Sequence, residues 1–394
     1  MIKTLKTFDL KNKTVFLRVD YNVPIENEKV ADDFRIRQTL PTIKHCLEAG
    51  AKLVISSHLG RPKGKKDSSL SLMPVGEALA DCLEMPIKFS SNCISEDAHD
   101  VTLSLKPGEI HMLENLRFHS EEIENDNDFS AKLAKHGDIF INDAFGTAHR
   151  SHASNVGVAK HFSRKGIGFL IESELNFLSK SLSKPARPLT LILGGAKIDT
   201  KINLIDHYIG IADKILIGGG MAFTLLKARG IDVGESILDQ SKISAASKLI
   251  NKAKSKKNLF LPKDVVCSKS IENGLKHNIY DVTEIPSDEM ALDIGPKTIE
   301  SFSKHILDSK TVVWNGPMGV FESSFFEKGT KEIASQIASC TEKGLISIIG
   351  GGDTASALRK FNLDNKMTHL STGGGASIEL LSGKNLPAIF ALEV

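Results

Sequence analysis

Short, uninterrupted apolar runs alternate with longer helical patterns along the whole chain of 394 residues. Runs of this kind predict strands that are buried on both faces, as in a parallel sheet. The predicted strands are residues 14–19, 52–56, 110–113, 138–142, 190–193, 214–217, 311–314 and 345–349. The predicted helices include residues 38–49, 74–83, 129–135, 201–209, 221–228 and 329–340. This alternation predicts βαβ units.

Each half of the chain holds four of these strands. Between the halves, residues 171–182 have a helical pattern, which is followed by Pro185 and Pro188. Two prolines this close together stop a helix and mark a linker. We therefore predict an α/β fold with two doubly wound, Rossmann-like parallel-sheet domains joined by a hinge helix. The predicted boundaries are residues 1–170 for the first domain, 171–188 for the hinge helix and linker, and 189–380 for the second domain.

The composition argues against several classes of protein. Lys and Arg number 50 against 48 Asp and Glu, and this formal net charge of +2 disfavours a protein that binds nucleic acid or a membrane surface. The five cysteines are scattered and never spaced as CxxC, which indicates reduced thiols rather than a disulfide framework or a zinc site. No secretory signal follows the N-terminal lysines, and no apolar stretch approaches the roughly 18 residues of a membrane span. We expect a cytoplasmic protein that binds neither nucleic acid nor membrane.

Arginines and histidines follow the predicted strands of the first half. Ligands bind beyond the carboxyl ends of strands in open parallel sheets, so these residues are expected to share one rim. The strand-end residues are Asp20, Tyr21 and Asn22, then His58, Leu59, Gly60 and Arg61, then Arg117, then His149 and Arg150, with Arg35 in the loop before the helix at 38–49. Seven of the ten arginines precede residue 165, and an arginine fork holds carboxylates and phosphates bidentately. The pattern predicts a site for a small, highly anionic ligand such as a phosphorylated carboxylic acid.

Each of these residues alone has a simpler interpretation. A single loop arginine commonly forms a surface salt bridge. His58 could cap a helix or make a structural hydrogen bond, and Asp20 could pair with Arg18 or a neighbouring arginine. The agreement of four separate strand ends favours the anion site.

Glycines follow the predicted strands of the second half instead, at residues 194–195, 218–220, 316, 350–352 and 373–375. Glycine turns between a strand and a helix let backbone N–H groups approach a phosphate, and the helix N-terminus adds a favourable partial positive charge. The pattern predicts a phosphorylated ligand without identifying it. The candidates for nucleotide binding are Gly195, Gly219, Asn315, Gly350, Gly351, Gly352 and Thr354.

Charged residues near these glycines indicate how the ligand is held. Lys197 and Lys201 are four residues apart, which would place both ammonium groups on one face of the helix predicted after Gly195; a solvated lysine pair is the alternative. Asp353 follows three glycines and could hold Mg²⁺ on nucleotide phosphates, cap its helix, or do both. Glu322 could accept hydrogen bonds from ribose hydroxyls, although alone it would be an ordinary surface acid.

The motifs of other nucleotide-binding families are missing. The sequence contains no GxxxxGK followed by Ser or Thr, no HRDxxxxN with DFG, and no GxGxxG. These absences argue against a P-loop enzyme, a protein kinase fold and a dinucleotide dehydrogenase.

These blocks together resemble the phosphoglycerate kinase family. The matching segments are residues 18–24, 57–62, 114–119, 142–150, 194–197, 218–223, 314–322, 350–354 and 371–377, in the family's order. The resemblance runs from about residue 14 to about residue 382, nearly the whole chain. It implies a reversible, Mg²⁺-dependent transfer of a phosphoryl group between 1,3-bisphosphoglycerate and ADP, by a monomer whose domains close about the hinge. It also implies that residues 381–394 fold back onto the first domain.

The resemblance assigns roles to particular residues. Asp20, Asn22, Arg35, His58, Arg61, Arg117 and Arg150 would hold the phosphoglycerate, with Tyr21, Leu59 and Gly60 in the same loops. Lys201, Glu322 and the turn at 350–354 would hold ADP or ATP, with Asp353 on Mg²⁺. Arg35, Lys197 and Lys201 would neutralise the phosphoryl group in flight, and Gly374 and Gly375 would offer it a helix N-terminus.

Two alternatives stay open from the sequence. One is a nucleotide-dependent sugar or acid kinase on an unrelated α/β scaffold, which would leave the arginines at the strand ends unexplained. The other is a binding or surface-displayed protein with the same fold. Retention of Arg35, Lys201 and Asp353 favours an active enzyme over the second alternative.

Overall fold

The structure, a computed structural model, describes residues 2–180, 184–196, 198–199, 201–272 and 276–393. It divides into two compact units. Unit 1 comprises Met1–Asn176 and Asn385–Val394, and unit 2 comprises Phe177–Lys384. Among the described residues, no helix combines the length and apolar character needed to cross a membrane.

Unit 1 is built on a six-stranded parallel sheet. Unit 1 has eight described strands, of which six form this sheet: β1 (Thr14–Arg18), β2 (Ile25–Glu26), β3 (Lys29–Val30), β4 (Lys52–Ser56), β5 (Ile87–Ser90), β6 (Ile110–Leu113), β7 (Ile139–Asn142) and β8 (Lys165–Ile167). The sheet order is β5-β6-β4-β1-β7-β8, and β2 pairs with β3 in a small antiparallel hairpin. The four predicted strands are confirmed, because β1, β4, β6 and β7 are almost wholly buried apolar runs. The sequence did not predict β5 and β8, which lie at the two edges of the sheet.

Helices and short turns cover this sheet. The α-helices are α1 (Phe34–Glu48), α2 (Met73–Leu83), α3 (Glu96–Leu103), α4 (Glu121–Glu124), α5 (Asn127–Ala134) and α6 (Phe169–Leu175). Short 3₁₀ turns lie at Leu5–Thr7, Ser68–Leu70, Leu116–Phe118, Phe145–Thr147 and Val158–His161, and π-helical turns at Ala153–Gly157 and Asn176–Lys180. The expectation that Arg35 precedes its helix is wrong. The helix starts at Phe34, whose N–H is accepted by the Asp32 carboxylate at 2.9 Å, so Arg35 lies in the first turn.

Unit 2 contains a second six-stranded parallel sheet and a smaller antiparallel one. Its strands are β9 (Leu189–Leu193), β10 (Lys214–Ile217), β11 (Leu259–Phe260), β12 (Asp264–Ser268), β13 (Asn278–Asp281), β14 (Met290–Ile294), β15 (Thr311–Asn315), β16 (Ile346–Gly350) and β17 (His369–Leu370). The parallel sheet has the order β11-β10-β9-β15-β16-β17, and the antiparallel sheet the order β13-β12-β14. The four predicted strands are again confirmed as β9, β10, β15 and β16. The antiparallel sheet was not predicted: it interrupts the strand–helix alternation, and β13 is largely exposed and forms no apolar run.

The helices of unit 2 are α7 (Ile202–Ile209), α8 (Met221–Ala228), α9 (Ile243–Lys254), α10 (Pro296–Leu307), α11 (Lys328–Thr341), α12 (Gly352–Lys360) and α13 (Gly375–Leu381), with 3₁₀ turns at Gln240–Lys242 and Asp364–Lys366. The last helix, α14 (Pro387–Phe390), belongs to unit 1, where the Ala388 N–H donates to the Ala148 carbonyl at 3.1 Å. Two parallel sheets layered with helices confirm the predicted α/β fold class.

The strand order of unit 2 determines where a ligand can bind. Its parallel sheet runs outward from β9 to β11 on one side and from β15 to β17 on the other, so the chain reverses direction between β9 and β15. In this pair Leu193 lies opposite Asn315, which brings the turns after the two strands together. A crevice forms at such a switch point, beyond the carboxyl ends of the strands.

Candidate active site

Buried charge lies beyond the end of β1 in unit 1. The Arg35 guanidinium donates to the Asp20 carboxylate, and His58 Nδ1 lies 3.7 Å from the second Asp20 oxygen. Burial of Asp20 opposes its ionisation, but Arg35 and Arg18 outweigh this cost and hold its pKa at about 2. Burial also lowers the pKa of His58 well below its ordinary value, so the ring is neutral at pH 7. The sequence left the role of Arg18 open. Its guanidinium is fully buried and lies 3.5 Å from His58 Nδ1.

Arg117 lies near two other guanidinium groups, those of Arg150 and Arg18, and near the acids Glu122 and Asp20. One Arg117 guanidinium nitrogen donates to the Gly60 carbonyl at 2.7 Å, and its buried Nε has no hydrogen-bond partner among the described residues. Burial and the nearby Arg150 and Arg18 lower the pKa of Arg117 to about 10. The group therefore remains charged at neutral pH. An anionic ligand would relieve the repulsion among these guanidinium groups.

The remaining predicted residues of unit 1 are divided between surface and core. Arg61 is exposed, and Asn22 Oδ1 accepts the Gly60 N–H at 2.9 Å. Tyr21 is fully buried with its hydroxyl 2.7 Å from Thr39 Oγ1, so its side chain belongs to the core. Leu59 is also buried, and both of its backbone groups bond to the Asn115 side chain, at 3.2 and 2.7 Å. Tyr21 and Leu59 can therefore shape the loops but do not present side chains to a ligand.

Asn115 is a residue that the sequence did not single out. Its amide bonds both backbone groups of Leu59, donates to the Leu70 carbonyl at 2.9 Å and accepts the Arg117 N–H at 3.1 Å. It thereby connects the loop after β4 with the turn that carries Arg117. Its position two residues after the end of β6 was the available signal, since polar residues at strand ends face the ligand crevice.

In unit 2, a polar pocket of about 350 Å³ occupies the switch point between β9 and β15. Its lining residues are Gly195, Ala196, Lys201, Asn315, Gly316, Gly351, Gly352, Asp353, Thr354, Gly374 and Ile378. Lys201 Nζ donates to the Gly194 carbonyl and to the Asn315 carbonyl, the latter at 3.2 Å. Burial lowers the pKa of Lys201 to about 8, a shift that Asp353 partly opposes. The group is a cation at pH 7 that is poorly compensated without an anion.

Two features adapt this pocket to a phosphate. The buried Asn315 Nδ2 has no hydrogen-bond partner among the described residues, although it is a donor at the wall of the pocket. Gly316 has φ of 97°, and a side chain there would overlap the Gly194 carbonyl and Lys201 Nζ. The Gly316 N–H donates to Thr354 Oγ1 at 2.7 Å, which fixes this turn against α12. The pocket thus combines a cation, an amide donor and close backbone approach.

A larger, mainly apolar pocket of about 510 Å³ shares Gly195, Ala196 and Asp353 with the polar one. Its wall includes Gly219, Phe223, Ile237, Met290, Leu292, Pro317, Met318 and Glu322. Part of this wall comes from the unpredicted antiparallel sheet, through Val265 and residues 290–294. Sequence reasoning therefore found the glycines and Glu322 but missed the apolar surface. A flat aromatic ring with a polar sugar would fit a mainly apolar pocket whose wall also carries acidic residues.

The structure separates the predicted nucleotide-site residues into three groups. Lys201, Asn315, Gly351, Gly352, Thr354 and Gly374 line the polar pocket, Gly219 and Glu322 line the apolar one, and Gly195 and Asp353 line both. Gly350 ends β16 and Gly375 begins α13, and neither lines a pocket described here. Lys197 lies outside the described residues. The helix predicted from residue 201 starts one residue later, so Lys201 precedes α7 rather than lying on its face.

The fold and these pockets define a class of protein. One α/β unit concentrates arginines beyond the ends of its strands, and the other has a glycine-rich pocket with a buried lysine at its switch point, beside an apolar pocket. Together they define a phosphotransferase that handles a small anion and a nucleotide.

Comparisons with known proteins identify the family. The family model of Phosphoglycerate kinase matches residues 5–384. Phosphoglycerate kinases of Prosthecochloris aestuarii and Chlorobaculum tepidum are 48% and 47% identical over 393 and 394 residues, covering 99% of this chain and of each relative. The solved structure of phosphoglycerate kinase from Coxiella burnetii is 38% identical, has a TM-score of 0.87, and is matched over 100% of this chain and 99% of that one. The corresponding structure from Pyrococcus horikoshii OT3 is 31% identical with a TM-score of 0.88, over 100% and 98% of the two chains. The chain belongs to the phosphoglycerate kinase family.

Proposed function

We propose that unit 1 holds 3-phosphoglycerate or 1,3-bisphosphoglycerate, that unit 2 holds ADP or ATP, and that the phosphoryl group passes directly and reversibly between them. This is the reaction of the family, and the two kinds of site fit its two substrates. The observation that carries the proposal is the polar pocket at the β9–β15 switch point. There Lys201 is a buried cation, and Asn315 Nδ2 is a buried donor with no hydrogen-bond partner in the part of the chain that the structure describes, so both would bind an anion.

The arginines of unit 1 suit a ligand with a carboxylate and a phosphate. Arg150 is close enough to Arg117 to disfavour its charge, so the two guanidinium groups suit a dianionic phosphate between them. His58 is neutral, so it can donate one hydrogen bond without adding charge. Arg35, held by Asp20, is the proposed catalytic arginine of this unit. Arg61 and Asn22 complete the proposed set.

The nucleotide would lie across the two pockets of unit 2. The apolar pocket would take the base, Glu322 would accept from the ribose, and the glycine turns with Lys201 and Asn315 would hold the phosphates. Asp353 suits Mg²⁺, because its carboxylate lies in the first turn of α12 and lines both pockets. Among the described residues no cluster of three potential ligands could hold a metal alone, which matches an ion carried mainly by nucleotide phosphates. Bound there, Mg²⁺ would neutralise phosphate charge during the transfer.

The proposed chemistry needs neither a nucleophilic side chain nor a general base. The phosphoryl donor is already activated as an acyl phosphate, so alignment and charge neutralisation carry most of the catalysis. Arg35 and Lys201 would stabilise the charge on the transferring oxygens, assisted by Lys197 and by backbone N–H groups at Gly374 and Gly375. Hinge-bending about residues 171–188 belongs to the proposal, because ligands held by separate units must meet for direct transfer.

Three finer points complete the proposal: a requirement for Mg²⁺, a monomeric state and a cytoplasmic location. The five cysteines are free thiols, and four of them are buried, which suits a reducing compartment. Light scattering of the purified chain with and without substrates tests the monomer, and a larger mass in both conditions would contradict it.

The function itself is tested by a coupled assay of ATP formation from 1,3-bisphosphoglycerate and ADP. We expect ATP to form with Mg²⁺ and to stop forming when the ion is chelated. Lys201→Met should abolish the signal, and Lys256→Met, which removes an exposed lysine of the same unit, should retain it. An inactive wild-type protein that still binds both ligands would instead support the binding-protein alternative.

A further inference from the structure

A buried acid lies behind the anion site of unit 1. Glu122, in α4, is fully buried, and both of its carboxylate oxygens are engaged by Ser154. One accepts the Ser154 hydroxyl at 2.7 Å and the other the Ser154 backbone N–H at 2.9 Å. His152 Nδ1 is 3.8 Å from the same carboxylate. A buried carboxylate normally needs a nearby cation to offset its desolvation.

The cation that compensates the Glu122 carboxylate is Arg18, and the two groups are connected by hydrogen bonds through the Ser154 hydroxyl. The Arg18 Nε–H donates to Ser154 Oγ at 2.7 Å while the Ser154 hydroxyl donates to Glu122. The direction is fixed, because a guanidinium can only donate and a carboxylate can only accept. Arg18 and Glu122 are both fully buried. Burial lowers the pKa of Arg18 and raises the pKa of Glu122, and each group partly offsets this by favouring the charged form of the other. The three side chains form one polarised chain of hydrogen bonds.

The far end of Arg18 reaches the proposed substrate site. A second nitrogen of the guanidinium lies 3.5 Å from His58 Nδ1, and the guanidinium also donates to the Val19 carbonyl. Since arginine cannot accept, this contact makes Nδ1 the acceptor and leaves the proton of the neutral ring on Nε2. Asp20 lies 3.7 Å from the same Nδ1 and would favour the opposite tautomer, but Arg35 engages Asp20. The position of Arg18 therefore decides which partner His58 Nδ1 takes.

We propose that Glu122 is a positioning residue for the phosphoglycerate site: through Ser154 it holds the Arg18 guanidinium against His58, which presents the His58 Nε2–H to the ligand and leaves Asp20 to orient Arg35. The inference rests on the proposed function of unit 1 and adds a residue that touches no ligand. A purely structural Glu122 would stabilise the fold without affecting the tautomer of His58 or the affinity for phosphoglycerate.

Two variants test the proposal. Glu122→Gln removes the charge at nearly constant volume. Ser154→Ala removes the hydroxyl between Arg18 and Glu122, which allows Arg18 to shift towards Glu122 and away from His58. Glu121→Gln is the matched control, because it makes the same change at an exposed position of the same helix. Each variant is first checked for folding by circular dichroism, and all binding is measured well below its melting temperature.

We expect the dissociation constant of 3-phosphoglycerate to rise about tenfold in Glu122→Gln and Ser154→Ala, from the loss of one charge-assisted hydrogen-bond chain. The affinity for ATP should stay within about twofold, because ATP binds unit 2. Glu121→Gln should match the wild type for both ligands. If Glu122→Gln does not fold, Ser154→Ala decides alone. Unchanged 3-phosphoglycerate affinity in the folded variants, or an equal loss for both ligands, would overturn the proposal.

The histidine itself provides an independent readout. In ¹⁵N-histidine NMR spectra, His58 of the wild type should be neutral with its proton on Nε2 at pH 6.5, where an unperturbed imidazole is half protonated. The charged groups that face it are Asp20, Arg18, Arg117 and Arg150. In Ser154→Ala, retreat of Arg18 should place the ring proton on Nδ1, towards Asp20, and raise the pKa of His58. An unchanged tautomer would refute the positioning role, whereas a wild type that does not bind 3-phosphoglycerate would refute the proposed function.

Discussion

Replacement of Lys201 by Met should abolish transfer and yet stabilise the ligand-free protein. Lys201 is 7% exposed, and burial lowers its pKa from 10.5 to about 8. Between these values the unfolded chain holds a proton that the folded chain has lost, so the free energy of unfolding rises with pH in this range. Below pH 8 the folded protein carries the full cost of the buried charge. We therefore expect the ligand-free protein to have its lowest free energy of unfolding, as far as Lys201 is concerned, at the pH values where Lys201 is charged and can act.

The magnitude follows from this shift. A displacement from 10.5 to about 8 corresponds to about 3 kcal/mol. Met avoids this cost but leaves the Gly194 and Asn315 carbonyls without the lysine donor, at about 1 kcal/mol each. The variant should be more stable than the wild type by about 1 kcal/mol at pH 7 and less stable by about 2 kcal/mol above pH 10, where the wild type no longer bears the charge.

Urea unfolding without nucleotide, at pH 7 and pH 10.5, measures both values. Trp314 is the chain's only tryptophan and is fully buried in β15, so its fluorescence reports unit 2. Lys256→Met serves as the control, because that lysine is exposed. A variant that is less stable than the wild type at pH 7, or a difference that does not change with pH, would refute the argument.

Four further outcomes follow from the geometry. Arg35→Ala should lower turnover about a hundredfold or more while the fold survives, and near-normal turnover would contradict its role in the transfer. Arg117→Ala should raise the dissociation constant of 3-phosphoglycerate about tenfold without changing that of ATP, as calorimetry can measure. Asp353→Asn should raise the Mg²⁺ concentration needed for half-maximal rate, and an unchanged requirement would remove Asp353 from the metal site. Burial lowers the pKa of His136 from 6.5 to about 4, so the unfolded chain binds a proton at higher pH than the folded protein and the free energy of unfolding falls as pH drops through this range. In His136→Gln, the melting temperature should fall less steeply over the same pH range. An equal slope would contradict this expectation.

Sequence periodicity was sufficient to predict the central strands of each parallel sheet and insufficient to predict the edge strands. Strands such as β1, β4, β9 and β15 are buried on both faces, so their apolar runs are continuous and visible. The edge strands β8, β11 and β17 have two or three residues each, which is too short for a period. The antiparallel sheet escaped prediction because it interrupts the strand–helix alternation that the interpretation relied on.

The site follows the same division. Polar residues in the segments that follow central strands could be located from the sequence, since parallel strands end on one side of a sheet. Asp20 forms an ion pair with Arg35, Arg117 donates to the Gly60 carbonyl, and Lys201 and Asp353 line the polar pocket. The direction in which a side chain points could not be located in this way. Tyr21 adjoins Asp20 in the sequence, yet its hydroxyl bonds Thr39 in the core.

The sequence by itself determined that this chain is an α/β protein with arginine-bearing strand ends in one half and glycine turns in the other. These are local properties, set by burial periodicity and by the backbone freedom of glycine. Tertiary structure alone decided which charges compensate one another. Glu122 and Arg18 are far apart in the chain, yet both are fully buried in the folded protein and are linked there by hydrogen bonds through Ser154. No spacing in the sequence encodes that contact, since the energy of a buried charge depends on the groups packed around it.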